Sequence, residues 1–328
     1  MLRIVILLAA ALSCAVPAQA ASSVDRAQYA ALVDEVAADT GKDPAALTAL
    51  LDGAEVKQGI LDAIARPAEA KPWSAYRPIF LNPARVDGGV AYFRQHRELL
   101  DIMMRRYGVA PEYLVAILGV ETNYGAITGH YRVLDALVTL AFHYPPRATY
   151  FRGELKTLLE LPADKLAGPI GTLTGSYAGA QGWGQFMPSS IRDYAVDGDG
   201  DGRVDLVNSP ADILASVANY FAAHGWRDGE PVAVRSQPAA SPQSIDPAGL
   251  DPVYPVEQLT AWGYAPTAHV PPGALATLLK LDGADGAEYW LVFNDFRVIT
   301  RYNKSPLYAM AVFQLAGAIR QAIDAAPP

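Results

Sequence analysis

The sequence predicts a mainly helical α+β protein, and three patterns support this fold class. From residue 23 to about 159, apolar residues recur at helical spacings with few strand-like alternations. Between residues 166 and 208, closely spaced glycines indicate a long loop, which in a compact domain is usually functional. Near the C-terminus, residues 288–292 and 296–300 have the composition of short strands around a turn. The sequence therefore predicts a helical region followed by a small strand-containing part.

The composition is that of a chain that folds around a core. Of its 328 residues, 51% are apolar and 18% are charged, unlike a disordered protein. The net charge is −8, and no cluster of lysine or arginine offers a phosphate-binding surface. Nucleic acid is therefore not expected as a partner.

The first 20 residues predict a signal peptide. Arg3 precedes an apolar run that ends near Leu12, and Ala18-Gln19-Ala20 has the small residues of a signal-peptidase site. The alternative is a transmembrane anchor, but the run is far shorter than the roughly 20 residues needed to span a bilayer. We expect export to the periplasm, with Ala21 as the mature N-terminus.

The only cysteine, Cys14, lies within this leader, so the mature chain is predicted to contain no disulfide. A second reading of the same region remains open. Ala11-Leu12-Ser13-Cys14 loosely resembles a lipidation motif, although its leucine stands one place late. Lipidation of Cys14 would make the protein an outer-membrane lipoprotein.

The predicted elements follow in chain order. One helical face extends over 90–107, and a helix that begins at Pro111 stops near Gly125. A further helix covers 212–221, and Ser305 with Pro306 begins a last helix that reaches about residue 323. The segment 237–255 is rich in proline, alanine and serine, as linkers are. It divides a helical region, 21–236, from a C-terminal part, 256–328.

Glu121 occupies an unusual place for a carboxylate. Leu114, Ile117, Leu118 and Glu121 follow the spacing of one helical face, so Glu121 lies on the stripe expected to face the core. Two outcomes are open: Glu121 pairs with a cation, or its pKa rises. A raised pKa suits a general acid that protonates a glycosidic oxygen, as the pocketed glutamate of lysozyme does.

The residues around Glu121 belong to a wider pattern. The segment Ile117-Leu118-Gly119-Val120-Glu121-Thr122-Asn123-Tyr124-Gly125 resembles the lytic murein transglycosylase B family, the membrane-bound lytic transglycosylase B type. Further segments match in the same order over most of the mature chain: Tyr144-Pro145-Pro146-Arg147, 175–180, 184–190, 216–220 and Arg301-Tyr302-Asn303. The resemblance implies a lysozyme-like helical catalytic domain, peptidoglycan glycan strands as substrate, and Glu121 as catalyst.

The resemblance also implies a nonhydrolytic reaction. Ordinary glycosidases use two carboxylates, and no second one is obvious near Glu121. In this family the C6 hydroxyl of MurNAc attacks its own C1, so that cleavage of the MurNAc-GlcNAc β-1,4 bond leaves a 1,6-anhydroMurNAc end. The family pattern implies these substrate-binding residues: Ser176, Gln185, Tyr220, Tyr302 and Asn303, with Tyr76, Arg147, Phe186 and Tyr308 as weaker candidates.

Two positions depart from the family pattern. Pro146 stands where a second basic residue before Arg147 is expected, which puts a contact with peptide or distal sugar in doubt. Gln181 stands where methionine or leucine is expected, which affects local packing.

An acidic segment resembles an EF-hand calcium loop. Asp197, Asp199 and Asp201 take its first, third and fifth positions, but Asn208 replaces the bidentate glutamate of position 12. The family resemblance implies that Asp212 closes a longer loop, 197–212, in which Arg203 contributes its carbonyl oxygen. The alternative is a solvated acidic turn. We expect a structural Ca²⁺ and no organic cofactor.

Other functions remain as alternatives. A hydrolytic muramidase would cut the same bond with water and differ only in its product. A catalytically inactive peptidoglycan-binding or scaffold protein would work with cell-wall synthesis proteins, but it would not need an acid on an apolar face. A calcium sensor is disfavoured because sensors usually pair such loops.

Overall fold

The computed structural model describes residues 26–65, 71–245 and 249–325. The predicted leader with Cys14 lies outside them. Helices dominate the described residues, which confirms the predicted fold class. The helices before the glycine-rich region are α1 (Arg26–Thr40), α2 (Pro44–Asp52), α3 (Gln58–Ile64), α4 (Trp73–Phe80), α5 (Pro83–Gln95), α6 (Arg97–Tyr107), α7 (Pro111–Thr122), α8 (Val133–His143) and α9 (Ala148–Glu160).

The second half of the chain adds further helices and most of the strands. Its helices are α10 (Pro188–Tyr194), α11 (Pro210–Ala223), α12 (Val256–Ala261), α13 (Asn294–Tyr302) and α14 (Pro306–Asp324). The strands are β1 (Tyr131–Arg132), β2 (Thr174–Gly175), β3 (Ala233–Pro238), β4 (Tyr254–Pro255), β5 (Tyr264–Pro266), β6 (Leu275–Gly283) and β7 (Gly286–Val292). No helix among the described residues combines the length and apolarity that crossing a membrane requires.

Helix α7 lies at the centre of the helical core. The predicted stripe of Leu114, Ile117 and Leu118 is buried, but Val115 and Ala116 on other faces are buried as well. A helix that is apolar all round is enclosed on every side. The packing therefore surrounds α7, and Glu121 in its last turn lies where this enclosure meets the cleft.

Helix α7 ends in a turn of left-handed residues. Asn123 and Tyr124 have φ angles of 52° and 58°, and the N–H groups of these two residues donate to carbonyls of the preceding turn. This bonding satisfies the terminal carbonyls and stops the helix. The predicted stop near Gly125 is confirmed, and the sharp turn leaves Glu121 next to the loop that follows.

The prediction of one continuous helical face over 90–107 is wrong, because two helices cover this range. The chain breaks at His96 into α5 and α6, although Phe93, Leu100 and Met103 of this face are buried. Apolar spacing identified the buried side chains, but it carried no signal for the break.

The main sheet has the strand order β4-β6-β7-β3-β5, with antiparallel neighbours. Side chains of β6 alternate between its two faces. Leu279 and Leu281 join the large helical core, while Ala276 and Leu278 join a smaller core beside α12. The sheet thus connects the helical core with the smaller apolar cluster.

Residues 296–300 form part of helix α13, so the predicted strand is wrong there. Asn294 and Asp295 begin this helix instead of forming a hairpin turn. Phe296, Val298 and Ile299 are buried, and so short an apolar run cannot distinguish strand from helix by its periodicity. The strand predicted at 288–292 is confirmed within β7, and the helix at 212–221 is confirmed within α11.

Segment 237–255 overlaps two strands of the same sheet. Its first residues lie in β3 and its last in β4, and β3 pairs with both β5 and β7 of the C-terminal part. The division of the chain at this segment stays a prediction.

Helix α14 returns the C-terminus to the central helix. A side chain at Gly119 of α7 would meet Leu315, and one at Gly89 of α5 would meet Ile319, so glycine permits close helix approach at both places. Ser305 caps α14, as predicted, by accepting a hydrogen bond from the Tyr308 N–H at 3.4 Å. The cap fixes the first turn, which carries Tyr308.

We expect Ser305→Ala to lower the free energy of unfolding by about 1 kcal/mol, because an alanine cap leaves a helix N–H without its acceptor. Urea denaturation followed by circular dichroism measures the change. Ser241→Ala is the matched control, since Ser241 is exposed in the 237–255 segment. An equal effect of both substitutions would contradict the role of the cap.

Candidate active site

The last turn of α7 places the Glu121 carboxyl against the first turn of α14. The Tyr308 hydroxyl donates a hydrogen bond of 2.5 Å to Oε1 of Glu121. Tyr308 is almost fully buried, whereas Glu121 keeps partial contact with solvent. Two residues separated by most of the chain therefore form the centre of the site.

Burial changes the acidity of Glu121. The protein atoms around its carboxyl exclude water and raise its pKa from 4.5 to about 7, while the hydrogen bond from Tyr308 opposes the rise. Removal of water penalises the charged form, and a donor to the carboxylate favours it. No charged side chain of the described residues contributes to the shift. Of the two outcomes expected for Glu121, the structure therefore shows the raised pKa and not the ion pair.

Aromatic residues from distant segments pack around Tyr302, which lies near Glu121. The ring of Tyr302 lies edge-on to Phe186 and Tyr220, with centroid distances of 5.8 and 4.8 Å. Burial and the negative charge of Glu121 raise the pKa of Tyr302 well above its usual value. The hydroxyl of Tyr302 donates to the Gly184 carbonyl at 2.6 Å, and that of Tyr220 donates to the Arg301 carbonyl at 2.6 Å. Both hydroxyls thus join the C-terminal part to the helical region.

The glycine-rich region supplies Gln185 in a left-handed conformation, with φ 53°. Its side-chain amide donates to the carbonyls of Thr128 and Gly182, at 3.1 and 2.9 Å. The side-chain oxygen of Gln185 accepts no hydrogen bond from any described residue, which leaves it as an acceptor for a ligand. Ser176 Oγ instead accepts the N–H groups of Ala178 and Ala180, so it shapes the same loop.

The remaining predicted binding residues occupy three different places. Tyr76 of α4 is buried beside Trp73 and Phe80 and lies near enough to Tyr308 to affect its pKa. Asn303 is exposed, and its Oδ1 accepts the Ser305 N–H at 3.2 Å.

Arg147 is exposed at the start of α9. Its guanidinium lies over the rings of Tyr150 and Phe151, and it makes no hydrogen bond with the described residues around Glu121. Neighbouring Pro146 belongs to a short 3₁₀ turn. The structure thus brings Tyr76 near Tyr308 and leaves Arg147 outside the central group.

Sequence reasoning missed residues that position the site. The Thr122 hydroxyl donates to the Trp183 carbonyl at 2.9 Å and accepts the Gly125 N–H, joining α7 to the Gln185 loop. The Arg85 guanidinium bonds to the Gly119 carbonyl, and the Tyr124 hydroxyl donates to the Arg85 carbonyl. Thr122 and Tyr124 stand in the quoted motif, but nothing in the sequence pointed to Arg85.

The acidic loop brings three carboxylates together. Asp197, Asp199 and Asp201 can each direct an oxygen to a common point, with these oxygens within 4.8 Å of one another. Asp197 also accepts the N–H groups of Gly200 and Gly202, at 2.6 and 2.8 Å. Clustered hard oxygens are the donor set that calcium prefers.

Asp212, the predicted closing ligand, is almost fully buried at the start of α11. Its oxygens accept the N–H groups of Gly198 and Asp205, at 2.8 and 2.6 Å. Burial raises its pKa, and the negative charges of Asp199 and Asp197 add to this rise. Asp212 therefore faces the acidic loop but lies outside its group of three, and a cation would relieve the repulsion among these carboxylates. Arg203 donates its N–H to Asp201, and its carbonyl oxygen accepts no hydrogen bond from any residue that the structure describes.

The family model described as "Transglycosylase SLT domain" matches residues 25–317, which is most of the chain. The chain belongs to the SLT transglycosylase family. This SLT transglycosylase acts on peptidoglycan, so the enzyme class and substrate predicted from the resemblance are confirmed.

Individual relatives agree with this assignment. Membrane-bound lytic murein transglycosylase B of Escherichia coli is 46% identical over 75% of this chain and 67% of its own length. The crystal structure of soluble lytic transglycosylase SltB1 from Pseudomonas aeruginosa has a TM-score of 0.83 and 46% identity, covering 91% of this chain and 100% of that chain. The structure of the E. coli lytic transglycosylase Slt35 in complex with calcium has a TM-score of 0.82 and 41% identity, covering 90% of this chain and 93% of that chain. These neighbours confirm the lysozyme-like fold.

We expect the substitution Glu121→Gln to stabilise this SLT transglycosylase at pH 8 relative to the wild type, but not at pH 4. The folded pKa of about 7 lies above the unfolded value of 4.5, so the wild type loses stability as the pH rises through this window. The neutral amide avoids that loss.

Denaturant unfolding at both pH values measures the difference. Glu98→Gln serves as control, because it makes the same change at an exposed glutamate of α6. A gain for Glu121→Gln that is equal at pH 4 and pH 8 would contradict the raised pKa.

Proposed function

We propose that Glu121 is the single catalytic acid and base of a lytic transglycosylase that cleaves the MurNAc-GlcNAc β-1,4 bond nonhydrolytically. The observation that carries this proposal is a carboxyl group with a pKa of about 7, raised by burial alone and bonded by one tyrosine. A general acid works best when its pKa lies near the working pH. The alternatives are a hydrolytic muramidase and an inactive peptidoglycan-binding or scaffold protein.

The reaction uses one proton twice. Protonated Glu121 gives its proton to the glycosidic oxygen as the bond to C1 of MurNAc breaks, so GlcNAc leaves with a new hydroxyl. The Glu121 carboxylate then removes the proton of the MurNAc C6 hydroxyl while O6 bonds to C1. Water is not consumed, the 1,6-anhydro ring closes, and Glu121 is protonated again.

Tyr308 is suited to both steps. Its hydroxyl donates to Oε1, so it holds one carboxyl oxygen and leaves Oε2 for the proton transfers. The same bond favours the carboxylate that the second step needs. Dipoles that are fixed before the reaction stabilise charge as it develops.

Substrate contacts are proposed for Ser176, Gln185, Tyr220, Tyr302, Asn303, Tyr76, Arg147, Phe186 and Tyr308. Gln185 has the strongest support, because its side-chain oxygen has no partner among the described residues and its amide is anchored. The side-chain nitrogen of Asn303, which is exposed, is a second candidate donor. Phe186 would contact the substrate through its ring. Tyr220 and Tyr302 would do the same, since their hydroxyls already donate to backbone carbonyls.

Related structures support glycan strands as the ligand. SltB3 from P. aeruginosa has been solved with NAG-anhNAM-pentapeptide and with NAG-NAM-pentapeptide. For this chain we propose export to the periplasm through the leader at 1–20, with lipidation of Cys14 as the alternative route to a membrane-bound form. Cell-wall synthesis proteins are the proposed protein partners.

We also propose that segment 197–212 binds a structural Ca²⁺, with Asp197, Asp199, Asp201, Asp212 and the carbonyl of Arg203 as its ligands. Buried Asp212 and the group of three carry like charges that a divalent cation would neutralise. The calcium complex of the related Slt35 supports the choice of metal. The ion would hold this loop against the Gln185 region, because the Trp183 N–H donates to the Leu206 carbonyl at 3.0 Å.

We expect Glu121→Gln to fold normally and to lose roughly 10²–10⁴-fold in cleavage rate, the usual contribution of a single general acid, because an amide cannot donate the proton. Mass spectrometry of purified peptidoglycan after incubation measures the products. Wild-type products should be lighter by one water than hydrolysed fragments, and Glu98→Gln should match the wild type.

Two results would overturn the proposed reaction. Products of full hydrolysed mass would make the enzyme a muramidase. The absence of wild-type products across pH and calcium concentration would favour the binding or scaffold function.

We expect Ca²⁺ to raise the melting temperature and a chelator to reverse the rise. At a concentration 100 times Kd, the stabilisation is about 2.7 kcal/mol. Differential scanning calorimetry measures the shift, which Asp201→Asn should reduce. Asp228→Asn is the control, since Asp228 is an exposed acid elsewhere. No shift in the wild type across a calcium titration would make the segment an ordinary acidic turn.

A further inference from the structure

Arg85 and Tyr124 join the start of α5 to the end of α7. Arg85 lies in the first turn of α5, where its N–H donates to Oδ1 of the capping Asn82 at 3.0 Å. Tyr124 lies in the turn that follows α7, and its hydroxyl donates to the Arg85 carbonyl at 2.7 Å. The Arg85 guanidinium in turn donates to the Gly119 carbonyl of α7. Each of the two segments therefore donates a hydrogen bond to the other.

The charge of Arg85 has no acidic partner among the described residues. Protein atoms around the guanidinium exclude water and lower the pKa of Arg85, and its Cζ lies 5.3 Å from the centre of the Phe80 ring. Its Nε is buried without a hydrogen-bond partner in the part of the chain that the structure describes. A cation withdrawn from water needs compensation, and here it meets the carbonyl end of α7, where the helix dipole is negative. Arg85 therefore supports a helix end and not an ion pair.

The ring of Tyr124 fits into a slot that glycine leaves open. A Cβ at Gly88 of α5 would lie 2.9 Å from this ring. A Cβ at Gly89 of α5 or at Gly119 of α7 would lie 2.6 Å from the hydroxyl oxygen. The slot thus fixes the Tyr124 hydroxyl at the contact between the two helices, where it reaches the Arg85 carbonyl.

The turn that carries Tyr124 has an unfavourable backbone conformation. Asn123 and Tyr124 have φ angles of 52° and 58°, a region that residues with a Cβ adopt only at a cost in free energy. Such residues persist where their surroundings over-determine them. The backbone bonds at the end of α7, the glycine slot and the bond to Arg85 supply that restraint. Loss of the bonds to Arg85 would let the turn relax.

Glu121 lies between the two points at which the turn is held. Gly119 is two residues before it, and Tyr124 is three residues after it. The carboxyl of Glu121 owes its raised pKa to burial, and the Tyr308 hydroxyl holds it by one hydrogen bond. A shift of the last turn would admit water to the carboxyl and weaken this bond. The acidity of Glu121 therefore depends on how firmly the turn is held.

We propose that Arg85 is a positioning residue for the reaction, because with Tyr124 it locks the turn after α7 and keeps the Glu121 carboxyl in its water-poor position. Arg85 makes no hydrogen bond to that carboxyl and acts through the Gly119 carbonyl and the backbone of α7. This inference rests on the proposed function, since it takes Glu121 as the acid. It extends the catalytic support to α5, which carries none of the predicted substrate-binding residues.

The pH dependence of kcat on soluble glycan strands of fixed length tests this role. In Arg85→Gln we expect water to reach the Glu121 carboxyl, so that its pKa falls from about 7 toward 4.5. A pKa of about 6 in the variant would lower the protonated fraction at pH 7 from about one half to about one tenth. The value of kcat should then drop about fivefold at pH 7 and nearly match the wild type at pH 5, where the acid is mostly protonated in both proteins. KM should stay unchanged.

A second variant and two controls separate positioning from folding. Tyr124→Phe removes only the hydroxyl and keeps the ring in its slot, so it should move the pH profile in the same direction and replaces Arg85→Gln if that variant does not fold. Arg94→Gln, at an exposed arginine of α5, and Tyr113→Phe, in the first turn of α7, should keep the wild-type profile. An unchanged profile in the folded variant, or an equal loss of kcat at pH 5 and pH 7, would overturn the proposal.

Denaturant unfolding tests the same role without cleavage. The measured quantity is the stability that Glu121→Gln gains at pH 8 relative to pH 4, in the wild-type background and in Arg85→Gln. A lower folded pKa of Glu121 costs the folded protein less at pH 8, so this gain should shrink in the Arg85→Gln background. An undiminished gain would overturn the role of Arg85 even in a protein that cleaves peptidoglycan as proposed. A smaller gain in a protein that makes no product would confirm that Arg85 holds the carboxyl and would refute only the proposed reaction.

Discussion

The withdrawal of the Glu121 carboxyl from water is the constraint on which the rest of the structure depends. An isolated buried carboxylate is costly, and no residue that the structure describes supplies a cation for it. The protein instead tolerates a raised pKa and provides one donor, the Tyr308 hydroxyl. Burial thus brings the pKa of Glu121 close to neutral pH, where an acid can both give and accept a proton.

This arrangement needs parts of the chain that are far apart in sequence. Helix α7 contributes the acid, α14 contributes its hydrogen-bond donor, and α13 contributes Tyr302 beside them. The Tyr302 hydroxyl ties the C-terminal part to the Gln185 loop, and the Thr122 hydroxyl ties that loop to the end of α7. The helical region and the strand-containing part therefore act as one support for the cleft.

The acidic loop is coupled to the same support through the backbone. Gly182 lies so close to Leu206 that a side chain at position 182 would meet the Leu206 carbonyl. The N–H of the next residue, Trp183, donates a hydrogen bond to the same carbonyl. Order in segment 197–212 is thus transmitted to Gln185 over a few residues. This contact explains how a structural cation would matter to a cleft that it does not enter.

The sequence by itself determined the class of fold, the helix that bears Glu121, the cap at Ser305 and the acidic loop. Each depends on local spacing or on a residue type with a strong local preference, and the family resemblance added the reaction. Tertiary structure alone decided which residues meet: Tyr308 against Glu121, and Arg85 against the last turn of α7. It also decided that 296–300 is helical, because neighbours of the packed chain, and not the periodicity of a short apolar run, select between helix and strand.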